Sequence, residues 1–126
     1  MNIAMVAADL TKWIAFGQCR VIQVFGFNNN AADRFIQLFA KPAAAIAATN
    51  VPDVKSLWAA ANAAFSWTFR EDGIQLSELS VAISTTEILY TAAGAGTGLD
   101  MTVVVESDFL VVSATTLVGD LTTGVA

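Results

Sequence analysis

The sequence contains no histidine, and Cys19 is its single cysteine among 126 residues. Without histidine the chain cannot build a Ser-His-Asp or Cys-His catalytic unit or a histidine metal site, which removes the commonest hydrolase designs. A lone cysteine also cannot form a disulfide within the chain. Cys19 begins a strand-like segment beside Arg20, and we interpret it as a small core residue in preference to a reactive thiol. We therefore predict no catalytic residues, no cofactor, no metal and no enzymatic activity.

Charged residues are scarce, at 13% of the chain against roughly 25% in ordinary soluble proteins. The net charge is −5, and the six lysines and arginines are scattered singly, so the sequence argues against a nucleic-acid surface. No segment reaches the roughly 18 apolar residues that a membrane span requires. The first residues lack the basic lead of a secretory signal and reach Asp9 early, which predicts synthesis in the cytoplasm.

The chain does have short segments in which apolar and polar side chains alternate, as in β-strands. Residues 21–25 precede the turn-forming residues 28–30, residues 34–39 follow, and the pair is predicted to form an antiparallel hairpin that ends at Pro42. Residues 74–76 and 79–83 carry an apolar face whose parity shifts by one residue. That shift predicts a β-bulge near residues 77–78.

Residues 65–69 give the clearest alternation, with Phe65, Trp67 and Phe69 on one face and hydroxyls on the other. We predict that these three rings point into the core. The alternative is a platform on which sugar rings stack.

About eight strands at short spacing, with no βαβ unit, predict an all-β fold: an antiparallel β-sandwich or jelly roll. We predict one domain over residues 1–126, with an N-terminal arm at 1–16, the sandwich at 17–114 and a C-terminal tail at 115–126. The start is ambiguous, because Leu10, Trp13 and Ile14 have helical spacing while residues 13–16 also suit a strand; we favour an arm or edge segment. The alanine-rich residues 41–50 fit a helix or a loop.

Two further patterns resemble functional motifs only superficially. Gly94, Gly96 and Gly98 lack the lysine and the following helix of a phosphate loop, and a flexible hairpin loop explains them better. Five acidic residues could in principle provide a glycosidase pair, although solvated turns and strand ends are the simpler interpretation. They are Glu71, Asp72, Asp100, Glu106 and Asp108.

Large apolar side chains are more numerous than the interior of so small a sandwich accommodates. We therefore expect the chain to form a homo-oligomer, a homotrimer by preference, in which part of this surface is buried. The residues in question are Phe16, Phe25, Phe27, Phe35, Phe39, Trp58, Phe65, Trp67, Phe69 and Phe109.

The order of the strand patterns resembles that of a group of small virion proteins of tailed bacteriophages. The similarity covers roughly residues 23–87, about half of the chain, and rests on strand patterns without a catalytic signature. It is carried by residues 35–39 (FIQLF), the Val51-Pro52 step, residues 55–58 (KSLW), the aromatic strand 65–69, the Gly73-Ile74 step and residues 79–86 (LSVAISTT). Glu78 departs from the group, which often has glycine there.

What the resemblance implies is a β-sandwich subunit on the capsid surface of a phage virion, a decoration or cement protein that binds the major capsid protein. The competing hypothesis is a tail-fibre or spike module that binds carbohydrate on the host surface. A small enzyme is the third class considered.

Overall fold

A computed structural model describes residues 1–70 and 72–111 of the chain. Within that part there is no α-helix, and one 3₁₀ turn occurs at Ala43–Ala45. The chain forms two antiparallel sheets, of five and four strands, so the predicted β-sandwich is confirmed. The strands are β1 (Asn2–Met5), β2 (Thr11–Ala15), β3 (Cys19–Asn28), β4 (Arg34–Phe39), β5 (Leu57–Ala59), β6 (Ala63–Thr68), β7 (Ile74–Leu76), β8 (Leu79–Ser84) and β9 (Asp100–Glu106).

The first sheet is built around β3, the longest strand, and has the order β1-β9-β3-β6. Strand β7 pairs with the beginning of β3, next to the segment that pairs with β6. The register between β3 and β9 shifts between Val21 and Gln23, which places Ile22 at a bulge. The β9 sequence alternates as a half-buried strand should, with Met101, Val103 and Val105 buried.

The second sheet has the order β2-β8-β4-β5. Both faces of its interior strand β8 are covered, since every residue of β8 is buried. On its outer face Phe39 and Ala82 pack with Tyr90, and Ile46 of the preceding loop completes the cluster. Side chains from both sheets meet in the core between them, among them Met5, Ile14, Val21, Val24, Ile36, Leu38, Leu79, Val81, Ile83, Leu99 and Val103.

The N-terminal residues are strands of the sandwich, and the predicted arm at 1–16 is wrong in this respect. Strand β1 pairs with β9 in the first sheet, and β2 pairs with β8 in the second. Both are terminal strands of their sheets, in agreement with the edge-segment alternative. The predicted tail at 115–126 lies outside the described residues.

Two of the predicted local connections are crossings between the sheets. Strands β3 and β4 do not form a hairpin, because β3 belongs to the first sheet and β4 to the second. Residues 77–78 join β7 to β8, also in opposite sheets, so the parity shift marks this crossing and not a bulge. Two strands in different layers need not share one parity of inward residues.

The aromatic strand β6 confirms only in part the prediction that its three rings are buried in the core. Phe65 is 9% exposed and belongs to the core, and Phe69, just beyond the strand, packs partly against it. Trp67 is 38% exposed, because β6 is the last strand of its sheet and the interior opens at this side. The prediction that Trp67 is a core residue is therefore wrong.

Candidate interaction surface

The outer face of the first sheet presents aromatic side chains to solvent. Phe25 and Phe27 of β3 are 38% and 40% exposed. The register places Phe25 between Ser66 of β6 and Thr102 of β9, and Phe27 between Ala64 and Asp100. We call this surface the open face, defined by Phe25, Phe27, Ala64, Ser66, Thr102 and Val104.

The open face is nearly free of charge in its centre. The Arg20–Glu106 ion pair lies at one end, and Asp100 lies at the other. Gln23 donates a hydrogen bond from Nε2 to Ser66 Oγ at 3.1 Å. A surface of two phenyl rings surrounded by small apolar and hydroxyl side chains is suited to contact another protein surface, since little charge has to be desolvated.

The corresponding face of the second sheet is covered by the chain itself. Two loops fold over it and are hydrogen-bonded to each other, with Thr49 N–H donating to Tyr90 O at 2.9 Å and Tyr90 N–H donating to Asn50 O at 2.8 Å. Asp53 N–H donates to Leu38 O of β4 at 3.0 Å. Of the two outer sheet faces in the described part of the chain, only the open face therefore lacks a cover.

A second group of exposed aromatics lies beside β2. Phe16 and Phe109 are 54% and 42% exposed, and their rings meet edge to face at 5.6 Å. Phe16 N–H donates to Phe109 O at 2.9 Å, and Val111 N–H donates to Ile14 O at 2.8 Å. Residues 109–111 therefore run along the outer edge of β2, where Ala15 and Leu110 form a single antiparallel bridge.

A depression of about 600 Å³ forms an open groove at the beginning of β3, lined in part by Cys19, Arg20, Leu76 and Glu106. Cys19 is 6% exposed. Burial raises the pKa of its thiol, while a backbone hydrogen bond involving Leu76 lowers it less. A thiol shifted in this direction is a poor nucleophile at neutral pH, and the position agrees with a structural cysteine.

The acidic residues singled out from the sequence occupy separate structural positions. Glu106 pairs with Arg20, and Asp100 accepts hydrogen bonds from Ala7 N–H at 3.2 Å and from Asn29 Nδ2 at 3.2 Å. Asp108 lines the groove, Asp72 is exposed, and Glu71 lies outside the described residues. Glu106 and Asp100 thus have structural partners.

The glycine loop is a tight turn that packs on the N-terminal segment. Thr97 N–H and Oγ1 both donate to Gly94 O, and Gly98 N–H donates to Ala7 O at 2.8 Å. A Cβ at Gly98 would lie 2.8 Å from the same oxygen, so the close approach of two backbones requires glycine there. The loop is thus accounted for by packing.

Groups of three or more metal-ligating side chains do not occur in the described residues. The same part of the chain has no helix with the length and hydropathy needed to cross a membrane. Comparison with models of known protein families, with curated proteins and with solved structures found no match.

Proposed function

We propose that the chain is a structural subunit that acts by surface contact, specifically a capsid decoration protein of a tailed phage that binds the major capsid protein and copies of itself. The observation that carries the first part is the open face, a sheet surface with two exposed phenyl rings and no charge at its centre. The second part rests on the resemblance of residues 23–87 to small phage virion proteins.

The physical demands on such a subunit fit this chain. A decoration protein folds before assembly and adheres afterwards, and an uncovered apolar sheet face opposite a self-covered one gives it an adhesive side. Attachment at many equivalent positions on a shell makes individually weak contacts effective together. The proposal also places the protein on the outer surface of the virion.

Binding to preformed phage shells tests the proposal. The purified protein should co-sediment with shells that lack decoration and raise the temperature at which they break, because a ligand specific for the intact shell stabilises it by mass action. Replacing Phe25 and Phe27 together by serine should abolish both effects. Ile88→Ser, at an exposed apolar position away from the open face, is the control and should leave both unchanged.

A carbohydrate-binding tail module is the alternative function, and the exposed Trp58 and Trp67 are the observation that favours it. These residues are 52% and 38% exposed and lie on the neighbouring edge strands β5 and β6. Binding to host-surface glycans that is lost in Trp58→Ala, together with no binding to shells, would support the tail module and contradict the decoration protein.

A further inference from the structure

Most sheet edges in the described part of the chain are covered or short. Lys12 Nζ donates to Ala4 O of β1 at 3.0 Å, so a lysine caps that edge. Residues 109–111 cover the outer edge of β2. Strands β5 and β7 have only three residues each. Strand β6 is the exception, with six residues and no described strand beside its outer edge.

Strand β6 also lacks the features by which edge strands usually avoid association. Its sequence, AAFSWT, contains no charge, no proline and no glycine, and its pairing with β3 runs from residue 63 to residue 68 without a register shift. Beyond the strand, Phe69 N–H donates to Ile22 O at 3.0 Å. Because backbone groups alternate in direction along an antiparallel ladder, the backbone N–H and C=O groups of Phe65 and Trp67 also point toward β3. The N–H and C=O groups of Ala64, Ser66 and Thr68 therefore point away from the sheet.

We infer that β6 pairs antiparallel with β6 of a second copy of this chain, around a two-fold axis at Ser66. In this register Ser66 lies opposite Ser66 of the second copy, and Ala64 lies opposite Thr68. All three outward pairs of backbone groups are then used on both strands, giving about six hydrogen bonds. The two first sheets become one continuous sheet, and the exposed part of Trp67 comes next to Phe65 of the other copy.

The charges at the two ends of β6 favour this orientation. Arg70 is exposed and follows β6, while the carboxylate of Asp33 accepts a hydrogen bond from Ala61 N–H at 2.9 Å, just before β6. Antiparallel pairing brings Arg70 of one copy beside the 61–62 turn of the other, and hence toward its Asp33, at both ends of the contact. The strand itself is uncharged, so the net charge of −5 opposes the approach less than elsewhere on the surface.

Site-directed crosslinking tests the register, in a Cys19→Ala background so that only the introduced thiol reacts. Opposed Cα atoms in a hydrogen-bonded antiparallel pair lie about 5.5 Å apart, which suits a disulfide. Ser66→Cys should therefore give a covalent dimer under mild oxidation. Ala64→Cys alone should not, because the two copies of residue 64 would be about 13 Å apart, four residues along a strand. A mixture of Ala64→Cys and Thr68→Cys chains should give the crosslinked heterodimer.

Sedimentation of uncrosslinked variants tests the contact itself. Ser66→Lys places two like charges opposite each other and should weaken self-association by about tenfold or more. Thr102→Lys, on the same open face but on the interior strand β9, is the matched control and should leave self-association unchanged. Circular dichroism verifies that both variants are folded.

Two results would overturn the inference. One is a folded protein that remains monomeric at high concentration and gives no crosslink with Ser66→Cys. The other is dissociation by Thr102→Lys with no effect of Ser66→Lys, which would assign the contact to the open face. A two-fold contact also predicts an even number of copies, so a stable trimer would contradict it and support the trimer expected from the sequence. None of these outcomes depends on binding to a phage shell.

Discussion

Trp67 connects the two sheets at the edge of the sandwich. Its indole Nε1 donates a hydrogen bond to the main-chain oxygen of Trp58 at 3.1 Å. Trp67 belongs to β6 in the first sheet and Trp58 to β5 in the second, so the bond joins the last strands of both sheets. The side chain that the sequence predicted as a core residue thus closes the side of the sandwich.

The stability of Trp67 variants should reflect this position. Phe65→Ala should cost about 3–5 kcal/mol, the value for a buried phenyl group, whereas Trp67→Ala should cost less because the indole is partly solvated already. Trp67→Phe, which keeps a ring but loses the hydrogen bond, should cost about 1 kcal/mol. Urea denaturation measures all three. Ser66→Ala is the mild control, and a cost for Trp67→Ala equal to that of Phe65→Ala would restore the core interpretation.

Gly26, the only glycine in a described strand, should not tolerate a side chain. It lies in β3 opposite Met101 of β9 and Phe65 of β6, and a Cβ there would lie 2.6 Å from Met101 Cα and closer still to Asp100 O. The backbone on both sides is fixed by pairing, so Gly26→Ala should destabilise the fold by about 3 kcal/mol or more. Gly94→Ala meets its nearest atom at 3.5 Å and should be nearly neutral in the same denaturation experiment. Equal stability of the two variants would contradict this assignment.

The sequence predicts buried faces better than it predicts partners. Alternation in β9 correctly gives Met101, Val103 and Val105 as inward residues, because that pattern is local. Pairing is not local: β1 pairs with β9, nearly one hundred residues away, and no turn signal connects them. For the same reason β3 and β4, adjacent in sequence and separated by turn residues, look like a hairpin although they belong to different sheets.

The sequence indicated the interaction surface only through a surplus of large apolar side chains over those that the core accommodates. Phe25 and Phe27 were among the aromatic residues too numerous for the core, and both are exposed. Which sheet face stays open depends on where the loops fold, and the alanine-rich residues 41–50 gave no signal that they cover the second sheet. The β6 edge was likewise hidden, because an edge strand and an interior strand can have the same alternation.

Gln37 should be the main support of the loops over the second sheet. Its side chain is fully buried, and Nε2 lies 3.2 Å from Ser56 Oγ, 3.1 Å from Thr86 O and 3.2 Å from Glu87 O. Gln37→Leu removes the amide donor from these acceptors and leaves Thr86 O and Glu87 O with only the hydroxyl donors of Ser84 and Ser56. The variant should therefore cost about 1–3 kcal/mol. Hydrogen exchange should accelerate in residues 85–91 before the rest of the chain.

The control for Gln37→Leu is Gln23→Leu, which removes a comparable amide bond on the solvated open face and should change stability by less than about 0.5 kcal/mol. If both glutamine variants were equally stable, the buried network would have no structural role.

Alkaline pH should destabilise the protein through two buried acids. Burial raises the pKa of the Tyr90 phenol, and it also raises that of the Cys19 thiol. A raised pKa in the folded state means that the stabilising contribution is complete below the unfolded pKa and is lost as pH rises through the folded value. The unfolding free energy should therefore fall above about pH 9. Absorbance near 295 nm follows ionisation of Tyr90, the only tyrosine.

Two variants identify the groups that cause this loss of stability at alkaline pH. Tyr90→Phe and Cys19→Ala should each flatten part of the decrease in unfolding free energy between about pH 8 and pH 11. A decrease of the same steepness in the double variant would show that other groups cause it.

Truncation at the two ends of the chain should have opposite consequences for folding. Removing residues 1–5 deletes β1, exposes the edge of β9 and removes the hydrogen bonds between Met1 and Val105, at 2.8 and 2.9 Å. It also removes the buried Met5, and loss of such a core side chain alone costs about 2–5 kcal/mol. Thermal unfolding by circular dichroism should show a large loss of stability. Residues 115–126 lie outside the described residues, and the sequence predicts that they form a tail. Their removal should then leave the sandwich folded while binding to phage shells weakens. A stable fold without residues 1–5 would restore the N-terminal arm, and full shell binding without residues 115–126 would exclude the tail from attachment.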